Sequence, residues 1–330
     1  MLNEKLYLNK NIFSDAVDKK ATREGYGDEL LMLGEENPNI VVLTADLTES
    51  TKVDKFAEKY PERFFECGIA EQSMVAVAAG FGVNGKRAFS SSYATFSPGK
   101  NWETIRTTVA YNDSDVKIAG HHAGLMTAQD GATHQALEDI ALTRVLPNMR
   151  VLCPCDYYEA MKVTKVAGEI YGPFYLRFTR EATPIITTEE TPFVLGENYS
   201  YWISEKPQCV IFATGYTLYY ALLAANRLKS DNIEVEVINV SSIKPINKEF
   251  IVSRVKDIRR VLTVEDHQVA GGLGSLIAEI LSEECPSLIE FVGMHDQFGE
   301  SGSSLELISK YGIDDKGIIK SIYKLLKKSL

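Results

Sequence analysis

The sequence lacks an apolar run long enough to cross a membrane. Its hydrophobic stretches are interrupted by Gly, Lys or Glu well short of the roughly 18 to 20 residues that a membrane-spanning helix needs. The N-terminal segment 1–20 also lacks the apolar core of a signal peptide. We therefore expect a cytoplasmic protein that makes no membrane contact.

Cysteine is scarce and is not spaced as in a metal site. The chain has five cysteines, an odd number, and none of them forms a Cys-x-x-Cys pair. This spacing indicates neither a disulfide framework nor a zinc site, so we predict no metal site and expect small buried side chains. The five are Cys67, Cys153, Cys155, Cys209 and Cys285.

Positive charge is also in short supply. The chain has 35 Lys and Arg against 45 Asp and Glu, a formal net charge of -10. Nucleic-acid binding depends on concentrated Lys and Arg, so we expect no nucleic-acid partner. Any phosphate that this protein binds should be small and held locally.

What is present is an alternation of short β-rich runs with helical patterns, which is typical of parallel α/β layering. A chain of 330 residues suits two domains of common size. We predict two three-layer α/β domains: 1–190, with a parallel sheet, and a smaller 207–330, joined by a Thr- and Pro-rich linker over 191–206. The predicted strands are 39–46, 86–92, 115–122, 149–155, 172–178, 208–215, 233–240, 259–266 and 287–294.

The glycine-rich run "GGLGS" at 271–275 follows a predicted strand and opens a helix. It lacks the full pattern of a dinucleotide-binding loop and the acidic residue expected beyond it. Glycines that allow the helix to approach the sheet are therefore the favoured interpretation.

A histidine pair, His121 and His122, ends a predicted strand, and Asp130 and His134 follow at the predicted start of the next helix. Ligands collect at the carboxyl ends of parallel strands, so this convergence favours a site. A metal would also use His and Asp, but no further strong ligand is apparent nearby. Hydrogen bonding to a polar substrate is the favoured interpretation.

Three other residues are candidates for the same site. Ser50 ends "TADLTES" after a predicted strand, although capping of the next helix explains that segment equally well. Arg23 lies in a helical run and Arg180 ends "YLRFTR". Each arginine taken alone fits a surface ion pair as well as a ligand contact.

The stretch "ECGIAEQSMVAVAAGFGVNG" places one carboxylate, Glu71, in the first turn of a helix rich in small residues. The helix dipole favours a carboxylate there, so an ordinary N-terminal Glu explains it in part. Small residues allow close approach by another element. If that element belongs to another subunit, Glu71 is enclosed.

Several segments together resemble the C-terminal two-thirds of transketolase. They are "FFECGIAEQSMVAVAAGFG", "FSSSYATF", "DGATHQALEDIALTRVLPN", "LRFTR", "VEDHQVAGGLGS" and "FGESGSSLELISKYGID", which occur in the family's order over nearly the whole chain. The resemblance implies a pyrimidine-binding domain followed by a transketolase C-terminal domain, and it implies thiamine diphosphate as cofactor.

The family's diphosphate-binding signature, a Gly-Asp-Gly followed by an Asn that helps to hold Mg²⁺, is absent from the sequence. The chain therefore resembles the smaller subunit of a split transketolase. The resemblance implies a separate N-terminal subunit that holds the diphosphate and most of the Mg²⁺ shell, sugar phosphates as substrates, and a homodimer or α2β2 assembly.

Site residues follow from the same resemblance. Glu71 matches the glutamate that hydrogen-bonds the aminopyrimidine and shares its proton, and Tyr93 and Phe96 match rings that pack against it. His122 and His134 match sugar-binding histidines, of which His134 is also assigned to catalysis. Asp130 matches the aspartate that reads a donor hydroxyl. The acceptor phosphate is assigned to three further positions, Arg23, Ser50 and Arg180.

The chain departs from the family at Gly99, where a third aromatic is expected, and at Ala123 and Gln129, where acidic residues are common. These departures bear on the sugars more than on the cofactor. The alternatives are a deoxyxylulose-phosphate synthase-like enzyme, a 2-oxo acid dehydrogenase β-subunit-like enzyme, and a non-catalytic partner subunit. The basic tail "GIIKSIYKLLKKSL" is either a membrane anchor or, more simply, a docked helix.

Overall fold

A computed structural model describes residues 1–329 and contains two mainly parallel β-sheets. The first sheet has seven strands in the order β12-β6-β7-β5-β4-β2-β3. All neighbours pair in parallel except β12, which runs antiparallel to β6. Its strands are β2 Ile40–Thr44, β3 Phe64–Glu66, β4 Arg87–Tyr93, β5 Val116–His121, β6 Arg150–Leu152, β7 Phe174–Arg177 and β12 Ser242–Lys244.

The second sheet has five strands in the order β14-β13-β10-β11-β9, of which only β9 is antiparallel. Its strands are β9 Tyr199–Trp202, β10 Cys209–Ala213, β11 Val235–Asn239, β13 Arg260–Gln268 and β14 Leu288–Met294. A separate pair joins β1 Lys19–Lys20 to β8 Thr183–Pro184.

The helices connect these strands and cover the sheets. In the first half they are α1 Thr22–Glu36, α2 Asp54–Lys59, α3 Glu71–Val83, α4 Trp102–Thr104, which continues as a π-helix over Ile105–Ala110, α5 Asp139–Arg144 and α6 Tyr157–Glu169. In the second half they are α7 Thr217–Leu228, α8 Lys248–Val255, α9 Leu273–Glu284, α10 Ser304–Lys310 and α11 Asp315–Leu326.

The predicted fold class, two α/β domains with parallel-dominated sheets, is confirmed. The two halves are nevertheless interwoven. β12 belongs to the second half of the chain but completes the first sheet, and the N-terminal residues Leu6, Leu8 and Ile12 pack into the core of the second half. β9 lies within the range predicted as linker. These exchanges could not be read from the alternation of strands and helices, which orders elements along the chain but does not pair them.

Two smaller predictions are decided by packing. In α11, Ile318, Ile322 and Leu325 are fully buried, so this helix is docked on the second domain and its apolar face is not free to enter a membrane. No helix within residues 1–329 is both long and apolar enough to span a membrane.

At "GGLGS", buried Glu265 accepts hydrogen bonds from the amides of Leu273 and Gly274 at 2.7 Å, so a side chain already caps the helix.

Glycine allows the closest helix contact in the first domain. α1 packs against α6, and a Cβ at Gly25 would overlap the backbone oxygen of Tyr157. We expect Gly25→Ala to lower the free energy of unfolding by about 2 kcal/mol through overpacking. The control Gly80→Ala, on the exposed side of α3 with nothing within 4 Å, should raise it by roughly 0.5–1 kcal/mol through helix propensity. Urea unfolding of the isolated chain measures both, and equal effects would contradict this packing.

Candidate functional site

The candidate residues gather where parallel strands of the first sheet end. β4 ends at Tyr93, β5 ends at His121, and β7 ends three residues before Arg180. Because parallel strands deliver their carboxyl ends to one edge of the sheet, residues distant in sequence meet there. The predicted convergence of these segments on one edge therefore agrees with the structure.

Arg23, His122 and Ser50 are in direct contact. Arg23 lies in the first turn of α1, and its Nη1 donates to the backbone oxygen of Ser50 at 2.8 Å and lies 3.1 Å from Nε2 of His122. Ser50 thus takes part through its backbone carbonyl. Within residues 1–329 the polar contacts of the Arg23 side chain are these two, neither of them to a carboxylate, and its Nε is buried without a hydrogen-bond partner.

The contact with Arg23 fixes the tautomer of His122. A guanidinium only donates hydrogen bonds, so Nε2 of His122 must be the acceptor and the ring proton must lie on Nδ1. Burial, then the charges of Arg23 and Arg180, lower the pKa of His122 to about 3. The ring is therefore neutral near pH 7. Its Nδ1 is buried and has no hydrogen-bond partner in the described chain, so the ring carries an unsatisfied donor.

His121 differs from its neighbour. It is completely buried, and its ring lies 5.0 Å from that of Tyr26 and 5.2 Å from that of Phe178, between centroids. Burial lowers its pKa well below the ordinary value. His121 therefore packs behind the edge of the sheet, and His122 is the histidine that contacts the other candidate residues.

Asp130 and Arg180 form an ion pair, with Arg180 Nη1 3.0 Å from Asp130 Oδ1. The same nitrogen donates to the backbone oxygen of Thr127 at 3.0 Å. Asp130 ends a 3₁₀ segment, Gly124–Asp130, and α5 does not begin until Asp139. The prediction that Asp130 and His134 start a helix is therefore wrong, because Gly131 and the turn around it interrupt the helical hydrogen bonds.

Four rings lie together at this edge of the sheet, those of Tyr93, Phe96, His122 and His134. The Tyr93 and Phe96 rings are near parallel, at 16° and 6.0 Å between centroids. The Tyr93 ring is 3.9 Å from that of His122, and the Phe96 ring is 5.5 Å from that of His134. Tyr93, Phe96 and His134 are all partly exposed. They form a half-open aromatic surface of the kind that receives a flat ring.

Glu71 begins α3, as predicted, and is only 2% exposed. Its Oε2 accepts from Lys100 Nζ at 2.9 Å, and its backbone oxygen accepts from Asn101 Nδ2 at 3.0 Å. The backbone amide of Lys100 donates to the backbone oxygen of Phe96 at 3.1 Å. The Glu71–Lys100 contact is therefore connected to the turn that carries the Phe96 ring. Within the described residues Oε1 of Glu71 makes no hydrogen bond and is not sealed from solvent, so this oxygen can bind a ligand.

The departure at Gly99 has a steric explanation. A Cβ at this position would overlap the backbone oxygen of Thr95, because the 95–99 turn closes on itself. No aromatic side chain fits there without reshaping the turn. The aromatic surface of this chain is therefore built from Tyr93 and Phe96.

Sequence reasoning missed the residues that support the site. Lys100 pairs with Glu71, Thr127 contacts both His122 and Arg180, and Gln135 and Asp266 hold the segment between them. Lys100 carries a weak signal, a lone cation close after an aromatic motif. The others act through backbone contacts that have no sequence pattern.

The fold and the site define a two-domain α/β protein with a buried carboxylate, stacked rings and, on the same sheet edge, an arginine that has no carboxylate partner within residues 1–329. Residues 18–185 match the family model described as transketolase, pyrimidine binding domain, and residues 199–318 match that described as transketolase, C-terminal domain. The chain therefore belongs to the transketolase family, as the sequence resemblance predicted.

Similar proteins include separate subunits. A putative transketolase C-terminal section from Methanocaldococcus jannaschii is 42% identical over 94% of this chain and 97% of its own length. One subunit of an apulose-4-phosphate transketolase, from Phocaeicola vulgatus, is 35% identical over 93% of this chain and 98% of its own. A solved structure described as split gene transketolase, inactive beta4 tetramer, is 41% identical with a TM-score of 0.85, covering 94% of this chain and 99% of that one.

The buried histidines predict how stability responds to acid. Burial lowers the pKa of His121, His122 and His267, so each stays neutral in the folded chain but gains a proton on unfolding below its ordinary pKa. These three histidines therefore contribute a loss of stability as the pH drops below about 6.5, whereas Glu265 and Glu29, whose pKa values burial raises to about 8 and about 7, contribute in the opposite direction. His122→Asn should reduce the slope of unfolding free energy against pH by about 1.4 kcal/mol per pH unit between roughly pH 4 and 6. Urea titrations across this range measure the slope, and an unchanged slope would contradict a neutral buried His122.

Proposed function

We propose that this chain is the C-terminal subunit of a two-chain transketolase. With a separate diphosphate-binding subunit, it transfers a two-carbon ketol unit from a ketose phosphate to an aldose phosphate. The observation that carries this proposal is Glu71, a buried carboxylate at the head of α3 with one oxygen free and a stacked aromatic surface on the neighbouring loop.

The residues present fit the aminopyrimidine half of thiamine diphosphate. Tyr93 and Phe96 would pack against the flat ring, and Glu71 Oε1 would exchange a hydrogen-bonded proton with a ring nitrogen. When bound, the cofactor supplies the carbon nucleophile and electron sink that ketol transfer needs. The protein's own task at this point is to hold and move one proton at Glu71.

The substrate end of the proposed site is cationic and rich in donors. Arg23 has no carboxylate partner in the described chain, so a phosphate dianion would satisfy it by charge-assisted hydrogen bonds. Arg180 would join this phosphate contact, and the unsatisfied Nδ1–H of His122 would donate to a sugar oxygen. Asp130 and His134 would bind donor hydroxyls. The Arg180–Asp130 pair holds both side chains in place before a substrate arrives.

The diphosphate and Mg²⁺ are assigned to the separate chain. Within residues 1–329, no three His, Cys, Asp or Glu side chains are placed to hold a metal ion. The relatives described as a C-terminal section and as one subunit of a transketolase support a two-chain enzyme, and an α2β2 assembly would supply two complete sites.

Glu71→Gln tests the catalytic assignment. In a mixture with the N-terminal subunit, thiamine diphosphate and Mg²⁺, we expect the wild-type chain to support ketol transfer from xylulose 5-phosphate to ribose 5-phosphate. Glu71→Gln should lower kcat roughly 10²- to 10⁴-fold, because the amide cannot exchange the proton. A coupled assay of triose phosphate release measures both.

The matched control is Glu103→Gln, an exposed carboxylate on α4 without a side-chain partner in the described chain, which should retain wild-type activity. Absence of ketol transfer in a mixture that binds the cofactor would overturn the proposed function. Activity that survives Glu71→Gln would overturn the role of the carboxylate.

The outer face of α3 tests the partner proposal. Val77 is 46% exposed and is flanked by the small residues Ser73, Ala76 and Gly80, a surface that allows close helix approach. We expect Val77→Arg to prevent co-elution with the N-terminal subunit in size-exclusion chromatography without changing the fold. The control Val194→Arg introduces the same charge at a 52% exposed valine whose neighbours Phe193 and Leu195 pack on a different core cluster. Complex formation by both variants would contradict docking on α3.

A further inference from the structure

The segment 123–134, here called the donor loop, carries Asp130 and His134 and depends on outside contacts for its shape. It contains Ala128 with φ 57° and ψ −119°, a backbone conformation that side chains rarely adopt. Such a conformation persists only where surrounding contacts enforce it. The contacts that do so come largely from the second half of the chain.

Asp266, at the end of β13, holds the beginning of the donor loop. Its two carboxylate oxygens accept from the amide of Leu125 at 3.0 Å each. A Cβ at Gly124 would overlap the Asp266 carboxylate, and Gly124 has φ +73°. Because Gly124 has no side chain, the loop backbone can lie directly against the Asp266 carboxylate of the second domain.

Gln135 and Ser301 hold the middle of the loop, at the strained residue Ala128 and at the residue that follows it. Gln135 Nε2 donates to the backbone oxygens of Ala128 at 3.1 Å and of Glu300 at 2.9 Å, which ties the loop to the second domain. Ser301 Oγ donates to the backbone oxygen of Gln129 at 2.8 Å. The two carbonyls immediately before Asp130 are therefore both fixed, one of them directly from the second domain.

We propose that the C-terminal domain sets the configuration of hydroxyl that the donor site accepts, with its residues Asp266 and Ser301, and Gln135, which bridges to its backbone at Glu300, as positioning residues for Asp130 and His134. This inference rests on the proposed function. The three residues lie outside the reacting groups and act through the backbone of the donor loop. The fold thus gives the C-terminal domain a specificity role, although none of its side chains need touch the sugar.

The test compares two serines that are two residues apart. Ser301→Ala and Gln135→Met, singly and together, remove the contacts to the loop while keeping side chains of similar size. The control Ser303→Ala removes the cap of α10, a contact within that helix alone. Ser301→Thr keeps the hydroxyl and should restore wild-type behaviour.

Three measurements are made on each variant. Hydrogen exchange followed by mass spectrometry on the isolated chain should show faster exchange over 123–134 in the double variant but not in Ser303→Ala. In the assembled enzyme, the ratio of kcat/KM for two ketose phosphates epimeric at the donor hydroxyl should fall at least about tenfold. Affinity for thiamine diphosphate should change less than the epimer ratio, because Glu71, Tyr93 and Phe96 lie outside the loop and the two rings contact it through the His134 ring.

Unchanged exchange over 123–134 in the double variant would overturn the inference, whether or not the assembly is active. Faster exchange with an unchanged epimer ratio in an active assembly would overturn it as well. If the wild-type assembly transfers no ketol unit, the proposed function fails and the specificity role fails with it. The exchange experiment then still decides whether the second domain holds the loop.

Discussion

A buried ion pair between Arg177 and Asp139, both in the first half of the chain, is tied to the second half through the backbone of Asp266. Arg177 Nε lies 2.8 Å from Asp139 Oδ2, and the two side chains are 4% and 1% exposed. Arg177 also donates to the backbone oxygen of Asp266 at 2.7 Å, and Tyr175 donates to Asp139 at 2.6 Å. Two charges removed from water are tolerated only when both are paired, so neither β7, α5 nor β13 can shift alone. The pair fixes β7, from which Arg180 follows, and the segment that carries His134.

Rigid packing of this kind explains how a protein with a net negative charge keeps two arginines close together at one site. The chain has a net charge of -10, yet Arg23 and Arg180 lie close enough for the charge of each to lower the pKa of His122. Arg23 bears a desolvation cost of its own, since burial lowers its pKa. Rigid surroundings keep these like charges together, and an anionic ligand would relieve their repulsion. The neutrality of His122 follows first from its burial and then from the same two charges.

The sequence predicts most of the fold because the α/β rhythm is strong. Each predicted strand of both sheets is present, and Glu71 does begin its helix, since small apolar residues and a carboxylate at the first position are local signals. Motif order identified the family. Local signals carry no information about which distant strands pair, so the pairing of β12 with β6 in the first sheet could not be predicted.

The same limit applies to the site. Motifs single out Arg23, His122 and Asp130 as candidates, and the structure places all three at one edge of the first sheet. The ion pair of Asp130 with Arg180, the use of Ser50 through its carbonyl and the link from Lys100 to Glu71 depend on side-chain geometry. The role of Gln135 depends on a backbone oxygen, which every residue has, so no pattern of side chains marks it.

On the proposed function, this chain holds one half of a cofactor whose other half is held by a separate subunit. Isothermal titration calorimetry with thiamine diphosphate and Mg²⁺, on each subunit alone and on their mixture, tests it most directly. The account predicts tight binding in the mixture, weak binding to either chain alone, and weaker binding when the mixture contains Glu71→Gln. Binding to this chain alone as tight as to the mixture would contradict it.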